Sequence, residues 1–161
     1  MMILLITTLY PGHKNQSRLK ATYAVHNFAK EWNKKNEVRV IRLWPSYPSI
    51  FNWFKKSRMA NLYSYKEKFN LDGVSVYRLP IIKLPKIDYS EKVIKATAKE
   101  IANIIKEGEP PNLIICDMLN PSIYLGEIIA KKYDSRLVAS LHNSDLAYLS
   151  KNGNLLRYSK I

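Results

Sequence analysis

The residues best suited to chemistry stand close together in one stretch, Ser140-Leu141-His142-Asn143-Ser144-Asp145. An imidazole beside an amide, a hydroxyl and a carboxylate can exchange a proton near neutral pH and can hydrogen-bond a polar ligand. The stretch closes an apolar run, "RLVASLH", so the polar group sits where a buried strand should end. A plainer alternative competes: His142 bonded to backbone at a strand end, and Asp145 capping the segment "LAYLSK". Asp117 ends a second apolar run, "LIICD", in the same manner. An aspartate so placed resembles the acceptor of a flavodoxin-like phosphoacceptor domain. Such a domain wants further acids after its first strand, and Thr7-Thr8-Leu9-Tyr10 supplies none.

Other chemistries are poorly served. His13, His26 and His142 are far apart, and Cys116 is the single cysteine, so neither a zinc set nor an internal disulfide is expected. Gly-x-Ser-x-Gly is absent, which argues against a hydrolase elbow. The five glycines form neither a Gly-x-Gly-x-x-Gly fingerprint nor a P-loop, and these are the patterns that bring backbone close to a phosphate. Cys116 reads as a small buried hydrophobe, suited to a reducing cytosol. His26 lies off its helix's apolar stripe and is expected at the surface. His13 belongs to a polar turn.

Lys and Arg total 26 against 13 acids, a net charge of +13, which attracts polyanions of any kind. No known RNA- or DNA-binding motif accompanies that charge. The apolar N-terminus lacks a basic region and a cleavage site, and no run reaches membrane-spanning length. Residues 44–69 hold eight of the eighteen aromatics, with five basic residues against Glu67. Interleaved rings and cations suit a membrane interface or a bound acceptor, through Trp53, Phe54, Lys55, Lys56 and Arg58. The competing reading is a loop whose aromatics fold back over the sheet edge.

The remaining pattern tells how such residues are positioned. Residues 2–8 form a continuous apolar run, as a strand buried on both faces should. Residues 18–35 and 89–106 carry apolar positions at helical spacing. Residues 37–43 alternate valine with arginine and read as a less protected strand. Residues 73–79, 112–117 and 136–142 are further strands. Asn120-Pro121 supplies a cap and a first-turn proline for a helix reaching about residue 133. Strands separated by helices predict an α/β fold, a Rossmann-like parallel sheet with helices on both faces. Ligands then bind beyond the carboxyl ends of the strands, after Thr8, Asp117 and His142.

The opening, "MILLITTLYPGHKNQSRLKATYAVHNFAKEWNKKNEVRVIRL", resembles that of GT-B glycosyltransferases of family 4, through Thr8, Tyr10-Pro11, Thr22-Tyr23 and Glu37-Val38 to Ile41. "PPNLIICDML" resembles the family's fourth strand, with Asp117 where many members have histidine. "RLVASLHNSDLAYL" resembles its fifth strand and following turn, with Asn143 in place of the usual glycine. The resemblance covers nearly the whole chain, but the glycine pair that holds the donor after the first strand is missing and only Gly12 is available.

The resemblance implies that residues 1–161 are one acceptor-side domain, an incomplete GT-B N-terminal half from a longer two-domain enzyme, with residues 44–69 as an insert. It implies an acceptor-binding domain of a retaining, nucleotide-sugar-dependent glycosyltransferase of polysaccharide, lipopolysaccharide or glycolipid synthesis. Neither metal nor cofactor would be needed, and the fragment alone would be inactive. His142 would be catalytic, at the donor sugar. Asn143, Asp145 and Gly12 would line the donor cleft, and Tyr10, Arg18, Thr22 and Asp117 the acceptor side. The implied partners are a nucleotide-sugar, a glycan or glycolipid acceptor, the C-terminal domain in cis and an anionic membrane surface. The expected location is the cytoplasm, peripheral on the inner face of the membrane. The alternative is a non-catalytic basic α/β module binding nucleic acid or anionic membrane.

Overall fold

The computed structural model describes residues 1–16, 23–85 and 88–151. Its elements run β1 (Met2–Thr7), α1 (Ala24–Asn33), β2 (Glu37–Ser46), a 3-10 turn (Ser49–Phe51), α2 (Lys55–Asn61), β3 (Glu67–Leu71), β4 (Val74–Ile82), α3 (Glu91–Ile105), β5 (Leu113–Asp117), α4 (Ser122–Tyr133), β6 (Arg136–Ser140) and α5 (Asn143–Lys151). They build a six-stranded sheet in the order β3-β4-β2-β1-β5-β6. Every neighbouring pair is parallel except β3–β4. This is the expected Rossmann-like α/β architecture.

Alternate residues of β1 serve two cores. Met2, Leu4 and Ile6 pack with Ile94, Ala98 and Ile101 of α3 and with Leu125 and Ile129 of α4. Ile3 and Leu5 pack with Val25 and Ala29 of α1 and with Val38 and Val40. A strand buried on both faces must be apolar throughout, which explains the unbroken run at the N-terminus. Helix α3 begins cleanly because the Ser90 side chain accepts from the Val93 N–H, an N-cap that leaves fewer end amides unsatisfied.

Several sequence expectations need correction. Strand β2 is not the less protected strand: Val38 to Leu43 are all buried, because β2 lies inside the sheet between β1 and β4. Its arginines are buried with partners. Arg39 pairs with Glu37, and Arg42 donates to the carbonyls of Tyr10 and Leu43. Conversely, β6 is not a buried strand. It is the sheet's edge, and Arg136, Val138, Ala139 and Ser140 are exposed. Helix α4 starts one residue later than expected, at Ser122 with Pro121 at its cap, and Asn120 instead donates to Asp88.

The aromatic insert is also shorter than residues 44–69. Strand β2 continues through Trp44 to Ser46, and Glu67 to Phe69 belong to β3. The β3–β4 connection is the two-residue turn Asp72-Gly73, with φ of 50° and 88°. Positive φ at both positions matches the right-handed twist of a hairpin, and glycine takes it without strain.

Candidate functional site at the sheet's switch point

From β1 the chain moves outward through β2 to β4, then crosses over to β5 on the other side of β1. The carboxyl ends of β1 and β5 therefore flank the topological switch point, where α/β sheets leave a crevice for ligands. Thr7 and Asp117 are register partners there, each the last residue of its strand. The Thr7 hydroxyl donates to Asp117 Oδ2 at 2.7 Å and accepts from the Leu9 N–H at 2.8 Å. The other carboxylate oxygen of Asp117 meets His142 Nε2 at 2.7 Å. Thr7 and Asp117 are buried, whereas the His142 side chain is 37% exposed. A buried carboxylate thus holds the imidazole by one nitrogen and fixes the Nε2–H tautomer, leaving Nδ1 as the acceptor. Among the described residues, no hydrogen bond to Nδ1 occurs.

Asp145 locks the surroundings. It is buried, and its carboxylate accepts from the His142 N–H at 2.9 Å and the Leu119 N–H at 3.2 Å. The first contact is the reciprocal half of a capping box at the start of α5. The second ties the β5–α4 loop to the β6–α5 loop. In the same loop Met118 takes a left-handed φ of 69°, and its N–H donates to the Ser140 carbonyl. A non-glycine residue held there marks a backbone position fixed by its surroundings.

A second polar chain lies under α1. The Tyr10 hydroxyl meets His26 Nδ1 at 2.7 Å, and His26 Nε2 meets Asp72 at 3.2 Å. His26 is therefore buried, not at the surface as its helical position suggested. Burial, then the charge of Asp72, pushes the Tyr10 hydroxyl well above its ordinary pKa. With Tyr10 fully enclosed, this chain fastens the β1 loop and α1 to the β3–β4 hairpin.

The third cluster lies at the carboxyl ends of β2 and β4. His13 stacks on Tyr63 with centroids 4.8 Å apart, and Tyr63 meets Trp44 edge-on. These rings line an open groove of about 430 Å³ together with Asn15, Gln16 and Met59. Arg78 is completely buried beneath Tyr65, Tyr63 and Trp44, paired with Glu67 and donating to the Gly12 carbonyl. Burial, then repulsion from Arg78, lowers the Arg42 guanidinium to about 10, which still leaves it charged at neutral pH.

These placements sort the expected site residues. His142 and Asp117 meet directly. Asn143 is exposed in the first turn of α5, and Asp145 is occupied by backbone amides, so it faces no open cleft. Gly12 lies across the sheet, where a Cβ would fall 2.0 Å from the Trp44 ring. Tyr10 turns into the core. Arg18 and Thr22 lie outside the described residues. Trp53, Phe54, Lys55, Lys56 and Arg58 are exposed on the insert. Thr7 escaped the sequence reading, although its place at the end of the first apolar run was the available signal. Among the described residues, no three histidine, cysteine, aspartate or glutamate side chains gather as a metal site, and no helix is long and apolar enough to cross a membrane.

No family model matches the chain, and no curated protein matches it. Among solved structures it is similar to the macrodomain of Thermus aquaticus DarG, at 8% identity and a TM-score of 0.36, over 88% of this chain and 89% of that one. The expected function, acceptor binding in a glycosyltransferase, is corrected here. The comparisons return a macrodomain and nothing that supports sugar transfer. Of the residues expected at donor and acceptor, His142 and Asp117 meet, while Tyr10 and Gly12 belong to other clusters. The macrodomain likeness is itself too loose to carry a function.

Proposed function

We propose that this domain binds a small phosphorylated ligand of the nucleotide class at the crevice between the ends of β1 and β5, with His142 as its proton-exchanging contact. The observation that carries this reading is the chain of 2.7 Å hydrogen bonds from Thr7 through Asp117 to His142. A carboxylate that fixes one imidazole nitrogen leaves the other aimed at a ligand in one tautomer, the arrangement a general base needs. The net charge of +13 supports an anionic ligand. Without a glycine-rich loop, and with the Met118 and Leu119 amides already engaged, the charge on the ligand would be met by side chains.

The test is a titration with nucleoside mono- and diphosphates followed by amide chemical shifts. Expected are saturable shifts at Thr7 to Leu9, Met118 to Asn120 and His142 to Asn143. Substituting His142→Gln should weaken binding about ten-fold, the loss of one hydrogen bond accepted by Nδ1 from a ligand hydroxyl or amine. Shifts confined to another part of the sheet edge, or none with any nucleotide, would remove the site from consideration.

A further inference from the structure

The aromatic insert divides in two. Trp44 and Tyr63 turn inward over the buried arginines, while a second group turns outward. Trp53 is 80% exposed and Ile50 76%, and Phe54, Met59 and Leu62 are each more than half exposed. Soluble surfaces seldom gather that much apolar area without a use for it. In α2 the buried Ser57 faces inward, so Lys55, Met59 and Leu62, at i, i+4 and i+7, share the opposite face. Lys56 and Arg58 flank that stripe on either side. Lys55, Lys56 and Arg58 are exposed, and no ion pair engages them among the described residues. The knob is firmly built. The Asn61 side chain bonds Tyr47 through both N–H and C=O and reaches Asn52 at 2.6 Å, and Trp44 Nε1 donates to the Ala60 carbonyl at 2.7 Å.

We propose that this knob, with Ile50, Trp53, Phe54, Met59 and Leu62 as its apolar tip and Lys55, Lys56 and Arg58 as its collar, docks on an anionic lipid bilayer. Rings and aliphatic side chains enter the headgroup boundary while cations meet lipid phosphates, a combination matched to an interface of that chemistry. The structure supplies complementarity on both counts, because the same short segment is apolar at its tip and uncompensated in charge around it. The segment leaves β2 at Ser46 and returns at Glu67, which pairs with Arg78 midway along β4, in register with Arg42 and through it with Thr7, the last residue of β1. It therefore stands on the carboxyl edge of the sheet, the edge on which His142 opens. The proposal does not depend on the ligand reading.

The test is cosedimentation of the full chain with phosphatidylcholine vesicles, with and without about one third phosphatidylglycerol. Binding is expected only to the anionic vesicles, falling as salt rises. Reversing Lys55, Lys56 and Arg58 to glutamate should weaken it on the order of a hundred-fold. The double substitution Trp53→Ser and Phe54→Ser should weaken it about ten-fold or more, with an unchanged circular dichroism spectrum. Reversing Lys92, Lys99 and Lys106, exposed on and just after α3, should have a small effect. The proposal is overturned by absence of vesicle binding, by equal loss from the two charge-reversed triples, or by indifference to the Trp53 and Phe54 changes. Self-association that depends on Trp53, without vesicle binding, would assign the face to a second copy and overturn it likewise.

Discussion

Asp117 satisfies two partners at once, so its removal is felt in two places. Asp117→Ala would leave the buried Thr7 hydroxyl and His142 Nε2 without acceptors, and each lost partner costs about 1–3 kcal/mol. Urea unfolding should show a loss near the sum, and Asp117→Asn, which keeps an acceptor oxygen, should lose less. Equal losses would mean that the carboxylate charge, rather than the hydrogen bonds, stabilises the cluster. Cys116 tells a different story one residue earlier. Burial pushes its thiol from 9.0 up to about 12, and its Sγ lies 3.1 Å from the Ser122 carbonyl. The folded pKa is raised, so the thiol's contribution to stability is complete below about 9 and is lost as pH climbs toward 12. The stability difference between the wild type and Cys116→Ala should therefore shrink between these limits. A pH-independent difference would place the thiol in contact with solvent.

At the scale of elements, the turns decide how reactive residues are held. Asp145→Ala removes the capping contact at the start of α5 and the tie to Leu119, so a loss of about 1–2 kcal/mol is expected. Amide exchange should accelerate at His142 and Leu119 before it does in α3. Protection unchanged at those two amides would refute the tie. The β3–β4 hairpin was legible in principle, because Asp-Gly between two strands is the short signal for it. The apolar residues of β3 are interrupted by Glu67, Lys68 and Asn70, and this hid the strand inside a basic, aromatic stretch. Strands β1, β4 and β5 and helices α3 and α4 were readable because burial imposes their periodicity directly. The arginines of β2 were misread because alternation reports exposure only when a polar side chain points to water. Here Arg39 and Arg42 find partners inside the protein.

For the whole molecule, the sheet order predicts a gradient of protection. Strands β1 and β2 have neighbours on both sides, whereas β6 has one and is mostly exposed. Native-state hydrogen exchange should be slowest in β1 and β2 and markedly faster in the outer amides of β6. Uniform protection across the sheet would show that β6 is covered in solution. The high positive charge acts at this scale too. Its effect on an anionic ligand or bilayer fades with salt, while the part-buried Asp117–His142 hydrogen bond, at 2.7 Å, depends on salt less.

The sequence by itself determined the α/β class, the apolar strands and the position of His142 at a strand's end, because these follow from local periodicity and from what burial demands of each side chain. It also marked the insert as the place where rings and cations collect. Only the tertiary structure decided that Thr7, Asp117 and His142 form one chain while Gly12, Tyr10 and Asp145 do other work. Those partners are set by strand order and register, which bring residues more than a hundred positions apart within 2.7 Å, and no spacing along the chain encodes that distance.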